Sequence, residues 1–381
     1  MGRFYMKSIL FVSGTRADYG KMKPLAKCAQ SHGFHVTFWI TGMHVLNDFG
    51  LTKLEIYKDG YDATDEYINQ NSNDLQSSII AKTISAFTDY LSERTPDLVV
   101  IHGDRPEAIA CAIAAATNYF NVLHIEGGEV SGTIDESFRH AVSKFANVHC
   151  VCSDQAKERL IRMGENPDFI YNIGSPELDL HLQCEKKGIA QAKDYYGIKF
   201  EDYAIVSFHS VTSELDTILD QTKQLFSALD ESRKNFVVIK PNNDPGSGCI
   251  NTVLKDLPCD RFRVLPSMRF EYFSVLMQNS AAMIGNSSSV VREAPFLGVP
   301  SLNVGSRQTN RALSDKVVHV EAQDKAEINS FLNDKWGLRF ASHIGYGDGS
   351  CIKKFSKLLN NSNLFTAPKQ KIFYEAVNGS Q

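Results

Sequence analysis

Acidic residues follow two short apolar runs of the chain, at spacings that suit proton transfer at a single site. The run Leu98–Ile101 is followed by a histidine, a glycine and Asp104, and the run Val122–Ile125 is followed by Glu126 and, three residues later, Glu129. Neighbouring carboxylates can divide the work of general acid and general base, because each alters the pKa of the other. Parallel strands in an open α/β sheet bind ligands beyond their carboxyl ends. We therefore expect these acids to meet there.

A further acid, Glu136, lies near the start of a predicted helix. Glu136 and His140 are four residues apart, so they share a helical face, and the loop Gly127–Gly132 would return both toward the strand end that carries Glu126. Thr133 and Glu136 also fit a capping box, in which the carboxylate serves only the backbone N–H groups of its own helix. The pattern leaves both interpretations open.

A turn after the first apolar run could bind an anion. The stretch Gly14–Gly20 follows Ile9–Val12 and has the character of a helix start, where backbone N–H groups point outward. Arg16 and Lys21 flank this start, and their positive charge would favour a phosphate group. The alternative is a capped helix whose charged side chains are simply solvated.

A second possible anion site lies in the other half of the chain, where Gly285 and Asn286 lead into three serines and a predicted helix. Hydroxyl groups and free N–H groups at a helix start suit a diphosphate. The serines are Ser287, Ser288 and Ser289. Glu293, about one turn further on, could accept hydrogen bonds from ribose hydroxyls, as acids do in dinucleotide-binding folds. The alternative is a serine-capped helix with a surface glutamate.

Four more residues lie at or after predicted strands and helices of this second half. His209 ends one strand and Asn242 follows the next, so both could face the same ligand. Arg269 and Phe273 offer charge and aromatic surface for a nucleobase, although phenylalanines more often pack in the core. A single histidine at a strand end is also more often structural, and its place at the sheet edge is what makes His209 a candidate.

Strands and helices alternate along the chain, as is typical of doubly wound parallel sheets. The alternation runs from Lys7–Ser13 to Phe169–Pro176, is interrupted by the polar, lysine-rich stretch Leu180–Glu201, and restarts at Tyr203. The interruption predicts a linker, and a last helix is expected at Gln370–Val377. We therefore expect an α/β protein with two similar domains that face one another across a cleft.

The composition limits the possible functions. At 381 residues, with 43% hydrophobic and 22% charged residues, the chain is typical of a globular protein of about two domains. A formal net charge of -4 argues against nucleic acid as a partner, and no apolar stretch is long enough to cross a membrane. The eight cysteines are scattered without a CxxC pair, and no signal peptide is evident, so we expect reduced thiols and a cytoplasmic protein.

Motifs for the common cofactors do not occur in the sequence. It contains neither a P-loop nor GxGxxG, so an ATPase and an NAD-dependent dehydrogenase lose their usual support. HExxH is absent too, and the histidines at strand ends are not at metal-ligand spacings. We therefore expect no cofactor and no metal ion.

Taken together, these stretches resemble the UDP-N-acetylglucosamine 2-epimerase family. The matching segments are Gly14–Arg16, His102–Arg105, His124–Glu129, Gly285–Ser288 and Arg292–Pro295. The resemblance is greatest to the hydrolysing branch that feeds bacterial sialic acid synthesis, because the first turn reads GTRADYG and the second acidic stretch reads EGGE. Asp135–Ser137 and Arg307–Arg311 agree with that branch.

The resemblance implies a GT-B fold, in which two Rossmann-like domains face each other and a C-terminal helix crosses back onto the first. Residues 1–182, with the helix at about 366–381, would form the domain that carries the catalytic carboxylates. Residues 183–365 would form the UDP-binding domain. The resemblance also implies a homodimer and a UDP-sugar substrate.

The same resemblance implies roles for individual residues. Asp104, Glu126 and Glu136 would carry out acid–base catalysis, with Asp135 or Glu129 able to share it. The diphosphate and the ribose would be held by Arg16, His209, Ser287, Ser288, Ser289 and Glu293. The remaining candidates for the substrate site are Lys21, Asn242, Arg269, Phe273, Gly285, Asn286 and Arg307.

The implied reaction converts UDP-N-acetylglucosamine and water to N-acetylmannosamine and UDP. As the C1–O bond to UDP breaks, positive charge at C1 acidifies the proton on C2, so anti elimination gives 2-acetamidoglucal, to which water adds with the opposite stereochemistry at C2. The alternatives are a hydrolysing epimerase for a UDP-2,4-diacetamido-trideoxy sugar, a non-hydrolysing epimerase, a GT-B glycosyltransferase and a nucleotide-sugar-binding protein without catalysis.

Overall fold

The chain forms two compact α/β units in a computed structural model that describes residues 6–47, 50–61, 64–71, 74–183, 188–242, 244–361 and 363–375. The first unit comprises the described residues of Met1–Glu129, Asp135–Leu180 and Gly347–Gln381. The second comprises those of Val130–Ile134 and His181–Tyr346. The sequence had placed the main boundary near residue 182 and the return to the first domain near residue 366.

The first unit is built on a seven-stranded sheet in which every neighbouring pair is parallel, in the order β3-β2-β1-β4-β5-β6-β7. The strands are β1 (Ser8–Ser13), β2 (His35–Ile40), β3 (Thr64–Glu66), β4 (Leu98–His102), β5 (Val122–Ile125), β6 (Val148–Val151) and β7 (Ile170–Asn172). Its helices up to the chain's passage into the second unit are α1 (Arg16–Ser31), α2 (Lys53–Lys58), α3 (Gln76–Glu93), α4 (Pro106–Thr117), α5 (Asp135–Phe145), α6 (Asp154–Arg162) and α7 (Pro176–Gln183). Short 3₁₀ turns lie at Gly42–Val45 and Pro167–Phe169.

The second unit is built on a six-stranded parallel sheet in the order β10-β9-β8-β11-β12-β13. The strands are β8 (Ala204–Ser207), β9 (Phe236–Ile239), β10 (Phe262–Leu265), β11 (Met283–Gly285), β12 (Ser301–Val304) and β13 (Val317–Val320). The helices are α8 (Ile189–Tyr196), α9 (Ile218–Glu231), α10 (Ser247–Lys255), α11 (Phe270–Gln278), α12 (Ser288–Val291), α13 (Glu293–Phe296) and α14 (Lys325–Asp334). The chain then returns to the first unit with α15 (Cys351–Leu359) and α16 (Asn363–Thr366).

Apolar runs become central strands because both faces of each sheet are covered by helices. In β4, Leu98 and Val100 belong to the core on one face of the sheet, and Val99 and Ile101 belong to the core on the other. All four side chains are fully buried. The predicted class, two Rossmann-like α/β domains, is therefore confirmed.

The strand order of each sheet reverses once, and the candidate residues follow the strands on either side of that reversal. In the first sheet the reversal lies between β1 and β4, which precede Arg16 and Asp104. In the second it lies between β8 and β11, which precede His209 and Ser287. Open α/β sheets bind ligands at such switch points, so the topology agrees with the positions chosen from sequence.

The helix predicted at Gln370–Val377 is wrong for Gln370–Glu375, which lie in no helix or strand; the rest of it lies outside the described residues. The Lys371 ammonium instead donates to carbonyls at the end of α5, those of Ser143 (2.7 Å), Lys144 (3.0 Å) and Ala146 (2.6 Å). These bonds satisfy helix-terminal carbonyl groups and hold Lys371 against the end of α5. The crossing back to the first domain is confirmed, with α15 packed against α1.

The stretch Leu180–Glu201, predicted to be a linker, contains the end of α7 and the whole of α8. Ala192 of α8 is fully buried and belongs to a core of the second unit. The lysine-rich composition of this stretch therefore reflects the exposed face of a helix.

Among the described helices none is long and apolar enough to span a bilayer.

Candidate active site

Asp104 is held by a buried arginine that sequence reasoning did not single out. Arg139, on α5, is 2% exposed, and its Nη2 pairs with an Asp104 carboxylate oxygen. Its Nη1 donates to the Glu129 carbonyl over 3.2 Å. One guanidinium therefore connects the residues that follow β4 and β5 to the helix after them. A buried ion pair of this kind fixes both side chains, because breaking it would leave a charge without compensation.

The loop that carries Asp104 is set by a neutral histidine. His124 is fully buried on β5; its Nε2–H donates to the Gly103 carbonyl over 2.8 Å, and its Nδ1 accepts from the Ser143 hydroxyl over 3.0 Å. The tautomer follows because a carbonyl oxygen can only accept. Burial lowers the pKa of His124 to about 3. Gly103 has a φ of +72°, which suits a residue without a side chain.

Glu126 is buried beside a lysine and a histidine. It is 3% exposed, and its Oε1 lies 2.8 Å from the Lys21 ammonium and 3.4 Å from Nε2 of His102. Its φ is +64°, a left-handed conformation that costs a non-glycine residue on the order of 1 kcal/mol or more. Strained backbone of this kind clusters at functional positions, so the conformation supports a functional role for Glu126.

Lys21 pairs with a second buried acid, which the sequence analysis did not name. Glu177, on α7, is 3% exposed and lies 3.3 Å from the Lys21 ammonium. Lys21 was a candidate for binding substrate phosphate, and the structure places its charge between two carboxylates of the protein. Glu177 could have been identified from sequence, because it directly follows the stretch GSP after a predicted strand. Asp104 and Glu126 likewise follow the ends of predicted strands.

Asp135 and Glu136 occupy the first two positions of α5. The helix therefore begins two residues after Thr133, and the capping box that Thr133 and Glu136 would form stays a prediction. Glu136 Oε1 lies 3.6 Å from Nε2 of His140. Burial lowers the pKa of His140, and the nearby Glu136 carboxylate only partly offsets this shift. His140 is therefore a neutral base at pH 7.

The turn after β1 forms the predicted capped helix. The Thr15 hydroxyl accepts from the Asp18 backbone N–H (3.2 Å), and the Asp18 carboxylate accepts from the backbone N–H groups of Gly14 and Thr15 (both 3.0 Å). His44 lies 3.8 Å from the same carboxylate. Burial alone would raise the pKa of Asp18. Contacts with His44 and Ser13 outweigh that effect, so the pKa of Asp18 is lowered.

Arg16 is the first residue of α1, as the anion-site prediction requires, and its guanidinium lies 2.8 Å from a Glu55 carboxylate oxygen. Its side chain is 28% exposed, so it can reach solvent. The backbone behind it is tightly packed. A Cβ on Gly42 would lie 2.6 Å from the Gly14 carbonyl oxygen, which explains glycine at a φ of +63° in the turn after β2.

The candidate diphosphate site of the second unit is organised by Asn286. Its side chain accepts from the His209 backbone N–H over 2.7 Å and donates to the His209 carbonyl over 2.8 Å. Its own carbonyl accepts from the side chains of Arg307 (3.2 Å) and Gln308 (2.9 Å). Asn286 therefore ties together the segments that follow β8, β11 and β12. Gln308 is a further residue that the sequence analysis did not name.

His209 is neutral and presents a donor. The Asn242 backbone N–H donates to its Nδ1 over 3.2 Å, so the proton resides on Nε2, which lies 3.2 Å from the Ser207 hydroxyl. Burial, followed by the charge of Arg307, lowers the pKa of His209 to about 4. The imidazole can therefore donate a hydrogen bond without carrying positive charge.

Gly285 allows the serine turn to approach β8. Its φ is +126°, and a Cβ there would lie 2.0 Å from the Ser207 carbonyl oxygen. Ser287 then caps α12, accepting from the backbone N–H of Ser289 over 3.4 Å. The predicted helix after the serines is confirmed but lasts only four residues. Pro295, which lacks an N–H group, prevents one continuous helix, and the chain turns before α13.

Glu293 begins α13 and is 7% exposed. Its Oε1 lies 3.3 Å from Nε2 of His181, whose Nδ1 lies 2.8 Å from the Ser274 hydroxyl. The surface glutamate of the alternative interpretation is therefore wrong, since the acid is buried and oriented. Arg269, half-exposed at the start of α11, lies 2.7 Å from Glu271. Phe273 packs partly buried against the core, its default role.

The candidates thus fall into two groups. In the first unit, contacts connect Asp104 with Glu129, and Glu126 with Lys21, through groups within hydrogen-bonding or ion-pairing distance. In the second, they connect His209, Asn242, Asn286 and Arg307. No group of three or more His, Cys, Asp or Glu residues in the described parts of the chain is placed to hold a metal ion.

Comparison with known proteins agrees with these motifs. Residues 26–360 match the model of the UDP-N-acetylglucosamine 2-epimerase family. The UDP-N-acetylglucosamine 2-epimerase of Neisseria meningitidis serogroup B is 37% identical over 97% of this chain and 99% of that protein. A UDP-N,N'-diacetylbacillosamine 2-epimerase (hydrolyzing) of Legionella pneumophila is 33% identical, covering 93% of this chain and 96% of that protein. The polysialic acid biosynthesis protein P7 of Escherichia coli is also 33% identical, with coverages of 89% and 88%.

A solved structure shows that the fold is shared. The Methanocaldococcus jannaschii UDP-GlcNAc 2-epimerase, crystallised with UDP-GlcNAc and UDP, aligns with a TM-score of 0.79 over 93% of this chain and 99% of that one, at 17% identity. The resemblance inferred from the acidic, glycine and serine motifs is confirmed at the level of the whole chain. The protein belongs to the UDP-N-acetylglucosamine 2-epimerase family.

Proposed function

We propose that this family member is the hydrolysing type, which converts UDP-N-acetylglucosamine and water to N-acetylmannosamine and UDP and so feeds sialic acid synthesis. The observation that carries the proposal is that Asp104 and Glu126, which follow the neighbouring strands β4 and β5, are fixed by Arg139 and Lys21, because proton transfer at carbon needs fixed carboxylates. Support for the hydrolysing type comes from two relatives at 33% identity, a hydrolysing 2-epimerase and a protein of polysialic acid biosynthesis.

The first unit would supply the acid–base chemistry. The C2 proton becomes acidic only as the C1–O bond to UDP breaks, so base and leaving-group stabilisation must act together. Asp104, Glu126 and Glu136 are the groups we assign to proton removal and return, with Glu129 or Asp135 able to share that work. Their cationic and histidine neighbours hold these carboxylates in place before substrate arrives.

The second unit would hold the nucleotide. Ser287, Ser288 and Ser289 offer hydroxyl and N–H donors at the start of α12, and the neutral His209 offers its Nε2–H. Donors fixed beforehand stabilise the negative charge that grows on a departing diphosphate. Glu293, oriented by His181, is the acceptor that we assign to the ribose hydroxyls. Arg16, at the start of α1, is assigned to a phosphate group of the substrate.

One experiment separates the main alternatives. The protein is incubated with UDP-N-acetylglucosamine in heavy water, and the released sugar and nucleotide are identified by NMR. The proposal predicts N-acetylmannosamine carrying deuterium at C2, together with free UDP in equal amount. A product without deuterium at C2 would indicate a glycosyltransferase, and epimerised UDP-sugar without accumulating UDP would indicate a non-hydrolysing epimerase.

A second candidate substrate is a UDP-2,4-diacetamido-trideoxy sugar, favoured by the similarity to the Legionella pneumophila enzyme. The two sugars differ at C4 and C6, away from the reacting C1 and C2, so the same carboxylates would serve both. The ratio of kcat/KM for the two substrates decides between them, since that ratio measures discrimination in the transition state. We further propose a homodimer, which light scattering of the purified protein would test.

A further inference from the structure

Glu177 is a buried acid to which the proposed reaction assigns no role. It lies in the first turn of α7, is 3% exposed, and one of its carboxylate oxygens lies 3.3 Å from the Lys21 ammonium. The same ammonium lies 2.8 Å from Oε1 of Glu126. A buried ion pair contributes little more stability than apolar side chains of similar size would. Stability alone therefore does not account for a second acid beside this lysine.

The position of Glu177 is fixed by helix contacts as well as by the ion pair. Asp179, two residues further along α7 and 1% exposed, accepts from the backbone N–H groups of Cys351 (2.8 Å) and Ile352 (3.0 Å). These N–H groups open α15 and have no acceptor within their own helix. In turn α15 packs against α1, the helix that carries Lys21. The start of α7 is thus anchored to a helix that also contacts α1.

Lys21 and Glu177 act on the Glu126 carboxylate in opposite directions. A positive charge beside a carboxylate favours its ionised form, and a negative charge nearby favours its protonated form. The other neighbours are His102, at the end of β4 and 3.4 Å from the same Glu126 oxygen, and His124 on β5, which burial keeps uncharged. Glu177 therefore reduces the extent to which Lys21 holds Glu126 in its ionised form.

This balance matters for an acid that must gain and lose a proton in each turnover. If Lys21 acted on Glu126 alone, the carboxylate would be a weak base, and a base works best when its proton affinity matches the working pH. Protonation of Glu126 would also weaken its hold on Lys21. With Glu177 beside it, the ammonium keeps a carboxylate partner in both protonation states of Glu126.

We propose that Glu177 is a positioning residue for acid–base catalysis: it holds Lys21 against Glu126 and compensates that ammonium while Glu126 gains and loses a proton. The inference rests on the proposed function, because Glu177 acts only through Glu126. No contact of Glu177 with the substrate is part of it.

The test is Glu177→Gln in the full-length protein, since the amide keeps the size of the side chain and removes its charge. The titration of Glu126 is followed by NMR of protein labelled with carbon-13 at the glutamate carboxyl groups, and its signal is assigned by comparison with Glu126→Gln. The midpoint should lie about one pH unit lower than in the unaltered protein, a tenfold loss of proton affinity. This readout requires neither substrate nor turnover.

Kinetics of the same variant show whether the contact serves catalysis. We expect kcat to fall by about tenfold, because Glu126 becomes a weaker base, while KM for UDP-N-acetylglucosamine stays within about twofold. The limb of the kcat/KM profile that reports Glu126 should move to lower pH together with the NMR midpoint. A loss of packing alone would lower stability without moving that limb.

Two variants serve as controls. Glu177→Asp keeps the charge, so it should leave the midpoint close to that of the unaltered protein and restore most of kcat, and it carries the test if Glu177→Gln does not fold. Glu158→Gln removes a charge of the same sign from α6, where the side chain is 69% exposed. Water and salt screen such a charge, so this variant should change neither the midpoint nor kcat.

The outcomes separate this inference from the proposed function. An unchanged Glu126 midpoint in Glu177→Gln, or equal midpoints and rates in the Gln and Asp variants, would overturn the role of Glu177. If the unaltered protein places no deuterium at C2 of the sugar, the proposed function is contradicted, whatever the midpoint. A lower midpoint together with a lower kcat and an unchanged KM supports the role of Glu177.

Discussion

The two units have similar sheets, but the candidate groups at their switch points differ in charge. At the switch point of the first, the candidate groups are charged and paired, with Asp104 held by Arg139 and Glu126 by Lys21. At the switch point of the second, they are mostly neutral: the amide of Asn286, the uncharged ring of His209 and the serine hydroxyls. Ionisable groups can move protons, whereas neutral donors hold an anion without changing their own protonation.

This difference explains why the two sites are built from different contacts. Charged groups in a buried site need counter-charges. The first unit therefore contains ion pairs between side chains on different helices and loops. Neutral donors need only to be held in the correct orientation. In the second unit this is done by two hydrogen bonds between the Asn286 side chain and the His209 backbone. Changes in the first unit should therefore affect turnover, and changes in the second should affect nucleotide binding.

The largest effect is expected from Asp104→Asn. The amide keeps the size of the side chain and removes its capacity to take a proton, so turnover should fall by about a thousandfold or more. UDP affinity, measured by calorimetry, should stay within about twofold, since we assign no nucleotide contact to this residue. Asp89→Asn, at an exposed position of α3, is the control. Turnover close to that of the unaltered enzyme would remove Asp104 from the mechanism.

A somewhat smaller effect is expected from Arg139→Met. The variant leaves Asp104 without its buried counter-charge and the Glu129 carbonyl without a donor, so kcat should fall by about a hundredfold while UDP binding persists. Arg139→Lys should restore little, because one ammonium cannot reach both acceptors in the same geometry. Arg162→Met, whose side chain is 75% exposed, should behave normally in the same assays.

In the second unit the sharpest change is Gly285→Ala. A Cβ there would meet the Ser207 carbonyl at 2.0 Å in a backbone conformation that disfavours side chains, so the free energy of unfolding should fall by about 2–4 kcal/mol and UDP binding should be lost. Gly248→Ala is the matched control, because nothing lies within 4 Å of its Cβ position in α10. Equal stability of the two variants would contradict the close approach of the serine turn to β8.

The effect that is mildest near neutral pH is a loss of stability on acidification. The pKa values of His124 and His209 in the folded protein, about 3 and about 4, lie below the ordinary 6.5, so the unfolded chain binds more protons as pH falls below 6.5. Their contribution to stability is complete above pH 6.5 and declines toward those values, by up to about 1.4 kcal/mol per pH unit for each histidine. Denaturant unfolding at several pH values measures the slope, which His124→Gln should reduce.

Much of the fold and the placement of the acids could be predicted from sequence because buried parallel strands leave a strong local pattern. The run Leu98–Ile101 is apolar on both faces, and such runs have few alternatives to a central strand. The short strand β3, with the sequence TDE, carries no such pattern and was not predicted. It pairs with β2 through backbone groups, which any sequence can offer.

The partners of the site residues were harder to predict, since they depend on contacts between distant parts of the chain. Arg139 and Glu177 are charged residues on helices, where surface exposure is the usual expectation, and only the fold buries them against Asp104 and Lys21. The helix predicted for the C-terminal segment was wrong for a similar reason. Its apolar residues fit a helix locally, but Lys371 gains more from the carbonyls at the end of α5.

The left-handed backbone of Glu126 has a consequence for attempts to make this enzyme more heat-resistant. At a φ of +64° a glycine is relieved of the side-chain clash that a glutamate must bear, and in Glu126→Gly the Lys21 ammonium would keep its pairing with Glu177, so the variant should lose less stability than removal of a buried ion-pair partner usually costs. Selection for thermal tolerance alone would therefore exert little pressure to keep this carboxylate, and a screen at this position should score turnover as well as survival.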